Sequence, residues 1–168
     1  INQTTMLATE TMAISNFFKE VMAQKDNRED TKNMANTRDT LCYATNENQD
    51  ATYGLLKTKA DLAIVVGGYN SSNTSHLVEL CEEKLTTYFI CNSKEIKNKN
   101  HIQHFNYKKN QMMYTKNFLP KKEVVDILLT SGASCPDAII EDVLFTLLDC
   151  FPNTKNTKDM MKMIRAEF

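Results

Sequence analysis

The chain has 168 residues, of which 42% are hydrophobic and 24% are charged, and its net charge is −1. This balance is typical of a folded globular domain and excludes a disordered chain. The near-neutral charge gives no field that would draw the chain onto nucleic acid or an anionic membrane. No apolar run reaches the roughly 20 residues that a membrane-spanning helix needs. The sequence begins at Ile1 without a signal peptide, which suggests a cropped or processed chain.

The first half of the chain predicts helices that alternate with short strands. The expected elements are a helix over residues 6–24, a loop over 25–39, a short strand over 40–43 and a helix over 48–59. The apolar run Leu62–Val66 ends at Gly67-Gly68 and is typical of a buried parallel strand. A helical pattern through Leu77 and Cys81 follows it.

The second half predicts two more strands and a buried helix. We expect a strand over 86–91, a long loop with one helical turn over 92–122, a strand over 124–129 and a helix over 136–149. Pro136 suits the first helical position, with Cys135 or Ser134 as the cap. The polar tail from residue 152 contains a Met-rich segment that suggests either a docking helix or a frayed end.

Strand–turn–helix units of this kind predict an α/β fold with a parallel sheet, in which ligands bind beyond the carboxyl ends of the strands. Three loops there carry small polar side chains: residues 42–45, 70–73 and 132–134. Ser71, Ser72, Asn73 and Ser134 would offer hydrogen bonds to an anion at helix N-termini, and a phosphate or diphosphate is the natural guest. The alternative is plain helix capping, which favours the same residue types.

The five cysteines are odd in number, widely spaced and without a C-x-x-C pair, so neither a disulfide scaffold nor a zinc site is expected. We expect reduced cysteines, most of them buried. Cys42 opens a helix, where a thiolate is stabilised, and could be a nucleophile, a metal ligand or a structural residue. We expect the pair His101 and His104 to be solvated and not to bind metal.

Five segments together resemble the carboxy-terminal part of the 4-hydroxy-3-methylbut-2-enyl diphosphate reductase family. They are Gln3-Thr4-Thr5, the segment Asp39–Thr45 with its Cys-x-Ala-Thr element, Val65–Asn73 with Asn-Ser-Ser-Asn, Thr74–Leu77, and Ser131–Asp137 with Gly-Ala-Ser-x-Pro. They occur in the family's order over nearly the whole chain to about Phe151. The glycine-rich form around Tyr69 is most similar to the plant and cyanobacterial branch.

The resemblance implies a trefoil of three small α/β lobes around a central 4Fe–4S cluster. Residues 1–38 would be a remnant of the second lobe, 39–151 the third lobe and 152–168 a carboxy-terminal tail. Cys42 would be the one cluster ligand in this chain, with two more cysteines and a glutamate expected upstream.

By the same resemblance, Ser71, Ser72, Asn73 and Ser134 would bind the substrate diphosphate. Thr4 would act at the substrate hydroxyl, in the relay that delivers a proton. Gln3 and Thr45 are weaker candidates for the same cavity. The family often has an arginine where this chain has Asn48, so a role for that arginine is not carried over.

The implied reaction is reductive dehydroxylation of the allylic diphosphate to isopentenyl and dimethylallyl diphosphate, the last step of the non-mevalonate isoprenoid pathway. The resemblance suggests ferredoxin or flavodoxin as electron donor. The chain alone is expected to be inactive. The plant-like branch and an Asn- and Lys-rich composition (17 residues each) suggest a plastid-type organelle such as an apicoplast, and otherwise the cytoplasm.

Two other functions remain open from the residues alone. The same three loops could serve a non-catalytic phosphate- or nucleotide-binding α/β module in which Cys42 is buried. A weaker alternative is an interaction domain built on the Lys- and Asn-rich stretch 92–122, for which near-neutral charge argues against nucleic acid as a partner.

Overall fold

The computed structural model describes residues 5–26 and 42–152. The helices are α1 (Ala8–Asp26), α2 (Tyr43–Leu55), α3 (Ser72–Glu82) and α4 (Asp137–Leu148). The strands are β1 (Leu62–Val66), β2 (Thr86–Ile90), β3 (Ile96–Asn98), β4 (His101–Asn106), β5 (Gln111–Lys116) and β6 (Ile127–Ser131). No helix in these two ranges is long and apolar enough to cross a membrane.

A three-stranded parallel sheet in the order β2-β1-β6 forms the centre of the fold. The register pairs Leu62 with Thr86 on one side and with Ile127 on the other. All five residues of β1 are buried, because a central parallel strand is covered on both faces. The α/β fold class and this strand are therefore confirmed as predicted.

The alternating side chains of β1 divide the interior into two cores. Ala63 and Val65 face a core that contains Leu77 of α3 and Phe89 of β2. The remaining β1 residues face a second core, built with Ile96, Ile102, Phe118, Val143 and Leu147. Helices therefore cover one face of the sheet, and α4 together with the hairpin strands covers the other.

A second, antiparallel sheet in the order β3-β4-β5 occupies the stretch predicted as a loop, so the loop prediction for residues 92–122 is wrong. The one predicted helical turn is present as a 3₁₀ turn at Ser93–Glu95. Asn110 ends the turn between β4 and β5, and Asn117 follows β5. Their φ angles are positive, at 48° and 55°, a conformation that asparagine tolerates. The sheet packs its β4 strand against β2 and so extends the fold beyond the parallel core.

The other predicted elements differ from the structure mainly at their ends. Tyr43 begins α2 and is not in a strand, and α2 ends four residues earlier than predicted. Strand β6 starts at Ile127, three residues later than predicted. Helix α4 is present, but only Val143 and Leu147 are buried, so the expectation of a buried helix is wrong for most of its length. The predicted tail beyond residue 152 lies outside the described residues.

Helix α1 confirms the first predicted helix, but its apolar side chains do not enter the two cores. Five of its large hydrophobic residues are between 41% and 61% exposed: Met12, Ile14, Phe17, Phe18 and Val21. The segment is attached instead at its beginning, where Leu7 and Thr11 are buried.

Candidate functional site

The loops that follow β1 and β6 leave the parallel sheet side by side. Val66 pairs with Ser131 at the ends of the two strands. The backbone N–H of Gly132 donates to the carbonyl of Val66 at 2.9 Å, and the N–H of Gly67 donates to Ile90 at 3.0 Å. The predicted convergence of loops 70–73 and 132–134 at the carboxyl edge of the sheet is thus present.

Ser71 caps helix α3, as one of the two interpretations of this loop requires. Its backbone is extended, and its Oγ accepts a hydrogen bond from the N–H of Thr74 at 3.3 Å. A serine hydroxyl that accepts this bond still has its own proton to donate. Ser72 begins the helix and is exposed. Capping and anion binding are therefore compatible at this helix terminus.

The next two side chains, Asn73 and Thr74, are buried with unpaired polar atoms. Asn73 is 5% exposed and Thr74 is 1% exposed. Oδ1 and Nδ2 of Asn73 have no hydrogen-bond partner, and Oγ1 of Thr74 has none either. A buried polar group left unpaired costs about 1–3 kcal/mol, and such groups are rare in folded proteins. The buried amide of Asn73 therefore has hydrogen-bonding capacity that no protein group uses.

Two glycines allow the loops to approach Thr74 closely. A Cβ atom added to Gly67 would lie 2.5 Å from Oγ1 of Thr74, and one added to Gly132 would overlap the same atom. Neither glycine has a positive φ angle, so close approach and not backbone conformation explains them. Thr74 thus lies between the two loops that carry the predicted anion-binding residues.

The loop before α4 differs in detail from the sequence prediction. Pro136 is the N-cap and not the first helical residue, and no side chain caps the helix. The predicted capping role of Cys135 or Ser134 is therefore wrong. Ser134 is exposed beside the turn in which the N–H of Cys135 donates to Gly132 at 2.9 Å. The Ser134 hydroxyl remains available to a ligand.

Helix α2 runs along β6 and points its N-terminus toward the same edge of the sheet. Thr52 Oγ1 and Thr130 Oγ1 lie 3.1 Å apart, and Asn48 Nδ2 donates to the carbonyl of Ser131 at 3.0 Å. Since Asn48 precedes Thr52 while Ser131 follows Thr130, the two elements are antiparallel. Residues 42–45, predicted as a third loop, are instead the N-cap and first turn of α2, and they lie at the carboxyl edge as expected.

Cys42 is the N-cap of α2 and its side chain makes no capping hydrogen bond. It is exposed, whereas Cys81 is buried and the other three cysteines are partly buried. All five are free thiols, but only Cys81 is buried, so the expectation that most of the cysteines are buried is wrong. Burial raises the pKa of Cys81 to about 12, so its thiolate is suppressed. An exposed thiol at a helix N-terminus is suited to act as a ligand to a metal or cluster.

No group of three or more His, Cys, Asp or Glu side chains that could hold a metal occurs in residues 5–26 and 42–152. His101 and His104 have separate partners, Asn98 Oδ1 at 3.0 Å and Thr115 Oγ1 at 2.9 Å. Both histidines lie in β4 and are partly exposed, and the hydrogen bond of His101 is at the surface whereas that of His104 is partly buried.

Gln49 is a buried contact that sequence reasoning did not identify. It is 1% exposed, its Nε2 donates to the carbonyl of Met6, and its Oε1 accepts from the N–H of Ala8, both at 3.1 Å. Gln49 thereby attaches the segment before α1 to α2. The predicted catalytic residue Thr4, with Gln3, lies outside the described residues. Thr45, a weaker candidate for the same cavity, is buried at 3% exposed, and no contact around it indicates a role in binding a ligand.

The parallel sheet, its glycine-lined loops and the exposed cysteine define an α/β fold with polar loops along one edge of the sheet. The sequence matches the family described as "LytB protein" over residues 1–148. It is 42% identical over 144 residues to 4-hydroxy-3-methylbut-2-enyl diphosphate reductase of Gloeothece citriformis and 36% identical over 149 residues to that of Gloeobacter violaceus. These matches cover 85% and 88% of this chain, and 35% and 36% of the relatives.

Two solved structures are similar to this fold. One is described as (E)-4-hydroxy-3-methyl-but-2-enyl diphosphate reductase, "the terminal enzyme of the non-mevalonate pathway", with a TM-score of 0.51 and 27% identity over 88% of this chain and 42% of that one. The other is a diphosphate reductase from Plasmodium falciparum, with a TM-score of 0.54 and 22% identity over 99% of this chain and 48% of that one; it supports the fold alone. The chain belongs to the LytB family and spans about a third of the length of the curated relatives it matches.

Proposed function

We propose that this chain contributes one lobe of an iron–sulfur reductase that converts 4-hydroxy-3-methylbut-2-enyl diphosphate to isopentenyl and dimethylallyl diphosphate. The observation that carries the proposal is the unpaired, buried amide of Asn73 at the N-terminus of α3. The relatives of this family are named for that diphosphate substrate. A buried donor beside exposed hydroxyls at a helix N-terminus is a site for a phosphate group.

The diphosphate would be held by neutral donors and by the first turn of α3. Asn73 Nδ2 and the hydroxyls of Ser71, Ser72 and Ser134 would donate to phosphate oxygens. The first backbone N–H groups of a helix have no partners within the helix, and the helix dipole favours negative charge there. Most of the binding energy would then come from the phosphate end, which fixes the small reacting end in place.

Cys42 would provide one ligand to a 4Fe–4S cluster. The residues fit this role in part: Cys42 is exposed and its side chain makes no capping bond, but further ligands do not converge on it within the described residues. The remaining ligands would come from the rest of the enzyme. When bound, the cluster would pass on the two electrons that the donor supplies and would provide a Lewis-acidic iron.

The proton for the reaction is assigned by family resemblance to a relay that includes Thr4. Its hydroxyl would lie near the substrate hydroxyl, where it could hold or pass a proton. A ferredoxin or flavodoxin is proposed as the electron donor, and a plastid-type organelle as the compartment. Without the other lobes, the chain would be inactive.

The test is purification of the full-length protein under exclusion of oxygen, followed by product analysis. We expect a brown protein with about four irons, the number set by the cluster type. With a reductant, it should convert the allylic diphosphate into the two five-carbon diphosphates. A folded, full-length protein that is colourless and free of iron would overturn the reductase proposal and favour a non-catalytic phosphate-binding module.

A further inference from the structure

We infer that Tyr69 is a positioning residue through which the β3-β4-β5 sheet braces the loop between β1 and α3. The loop, residues 67–71, leads directly into the first turn of α3, where Ser71 and Asn73 are placed. The inference rests on the proposed function for the identity of the ligand, a diphosphate. The brace itself follows from the contacts of Tyr69.

The ring of Tyr69 packs against two aromatic side chains from different strands. It stacks on Phe105 of β4, with ring centroids 4.6 Å apart and an interplanar angle of 26°. It meets Phe89 of β2 edge-on at 5.2 Å. Aromatic pairs in these geometries contribute about 0.5–1.5 kcal/mol beyond the area they bury. The ring therefore joins the loop to both sheets.

The hydroxyl of Tyr69 forms a further attachment to the segment after β2. It donates to Oε1 of Glu95, in the 3₁₀ turn that leads into β3. The other oxygen, Oε2, accepts from the backbone N–H of Cys91 at 2.7 Å. Burial and the neighbouring carboxylate raise the pKa of Tyr69, so the hydroxyl stays protonated and keeps donating. The hydrogen bond from the Cys91 N–H thus holds the Glu95 carboxylate in place.

The rest of this loop has few attachments of its own. Gly68 and Asn70 are exposed, and the N–H of Ser71 donates only locally, to the carbonyl of Gly68 at 2.9 Å. A loop that begins with two glycines has wide backbone freedom. Fixing Tyr69 restricts that freedom two residues before Ser71. Preorganised donors bind an anion more tightly, because the cost of ordering them is already met on folding.

The test uses the full-length protein and compares Tyr69→Phe with Tyr114→Phe. The first variant keeps the ring contacts and removes the hydroxyl, whereas the second removes a phenolic hydroxyl from the exposed Tyr114 of β5. We expect Tyr69→Phe to weaken the binding of inorganic diphosphate by about threefold to tenfold, the effect of one net hydrogen bond. The KM for substrate should rise similarly with kcat nearly unchanged. Tyr114→Phe should match the wild type.

The partner residue provides a second, independent comparison. Glu95→Gln keeps an oxygen that can accept from Tyr69 and should retain most of the affinity for diphosphate, whereas Glu95→Ala should lose at least as much as Tyr69→Phe. Because Glu95→Ala already removes the acceptor of the Tyr69 hydroxyl, together with that of the Cys91 N–H, adding Tyr69→Phe to it should cause little further loss. Fully additive losses would overturn the inference.

Hydrogen exchange separates failure of the brace from failure of the proposed ligand. Backbone amides of residues 68–73 should exchange faster in Tyr69→Phe than in Tyr114→Phe, at equal thermal midpoints. Equal exchange would overturn the brace, and faster exchange with unchanged diphosphate affinity would overturn its role in binding. If the wild-type protein fails to bind inorganic diphosphate, the proposed function is wrong, and the exchange rates still decide whether the brace exists.

Discussion

The side chain of Thr74 occupies the space that a Cβ atom on Gly132 would need. Thr74 belongs to the first turn of α3, and Gly132 is the first residue after β6. Only a residue without a side chain can lie at this point while the two loops remain in contact. The spacing of the two loops at the carboxyl edge is therefore set by the pairing of one threonine with one glycine.

Gly132→Ala should destabilise the protein and displace the Ser134 loop. The added methyl group meets Oγ1 of a side chain that is 1% exposed and has no room to turn away. Overpacking of this kind costs about 1–3 kcal/mol. Urea denaturation should therefore show a lower free energy of unfolding, and affinity for inorganic diphosphate should fall with it.

Two further variants decide whether the clash with Thr74 is the cause. Combining Gly132→Ala with Thr74→Ala removes the overlapping atoms and should restore part of the lost stability. Gly54→Ala, in the last turn of α2 with open space around the new methyl group, should be neutral or stabilising by up to about 1 kcal/mol. Equal destabilisation by Gly132→Ala and Gly54→Ala would contradict the packing argument.

Replacing Cys42 by Ser in the full-length protein should lower its iron content and abolish reductase activity, because a serine hydroxyl is a poor replacement for a thiolate ligand. The matched control is Cys150→Ser, at the end of α4, where the thiol donates to the carbonyl of Thr146 at 3.4 Å and a hydroxyl can do the same. The iron-to-protein ratio should fall in the first variant only. Wild-type iron content in Cys42→Ser would show that Cys42 is not a ligand.

His104 should make the protein less stable in mild acid. Burial lowers the pKa of its imidazole below the ordinary value of 6.5, more than nearby Glu82 and Glu95 raise it. The unfolded chain therefore takes up a proton at a higher pH than the folded one, and stability present above pH 6.5 is lost as the pH falls through the folded pKa. Urea titrations between pH 7.5 and 5 should show this loss, and His104→Gln should reduce it. Identical pH profiles would exclude His104 as the cause.

The sequence predicted the parallel strands and the helices that pack on them well, because the hydrophobic patterns that indicate these elements lie within short stretches of sequence. Leu62–Val66 is a continuous β-branched and aliphatic run that fits no exposed element, and its bounds match the structure. The helix after Ser71 was equally visible from its cap and its apolar residues. The convergence of three polar loops then followed from the general rule for parallel sheets.

The antiparallel sheet was missed because its strands carry little hydrophobic signal. In β4 only Ile102 is buried, and in β5 no residue is buried. These strands exist through pairing with each other and through packing of β4 on β2, which no local window contains. The polar residues Lys108-Lys109-Asn110, which lie in the turn between β4 and β5, were the one sequence feature that indicated a hairpin.

The prediction that α4 is buried was wrong for a different reason. The helix is apolar on most faces, but Leu144 and Phe145 are 39% and 41% exposed. The described part of the chain provides a partner for one stripe only, at Val143 and Leu147. Burial depends on which elements are present to pack against a helix, and composition does not contain that information.

The contacts of the candidate site could not be predicted from residue types alone. Thr74 was part of a family segment but had no predicted role, and Gln49 belonged to no motif, yet Thr74 separates the two loops and Gln49 attaches the segment before α1. The pairing of Gly67 and Gly132 around Thr74 is a three-dimensional relationship between residues 65 positions apart. Only the folded chain reveals it.

The central claim is that Asn73 is a ligand-binding side chain, buried and unpaired because a diphosphate completes its hydrogen bonds. Calorimetric titration of inorganic diphosphate into the full-length protein and its Asn73→Ala variant tests this claim most directly. Loss of a hydrogen bond to a charged group should weaken binding by about tenfold to hundredfold. The thermal midpoint should change little, because no protein partner of Asn73 is lost. The control Asn106→Ala, at the end of β4 where the side chain accepts a hydrogen bond from the N–H of Lys109, should bind as the wild type does. Unchanged affinity in Asn73→Ala, with a lower thermal midpoint, would contradict the account.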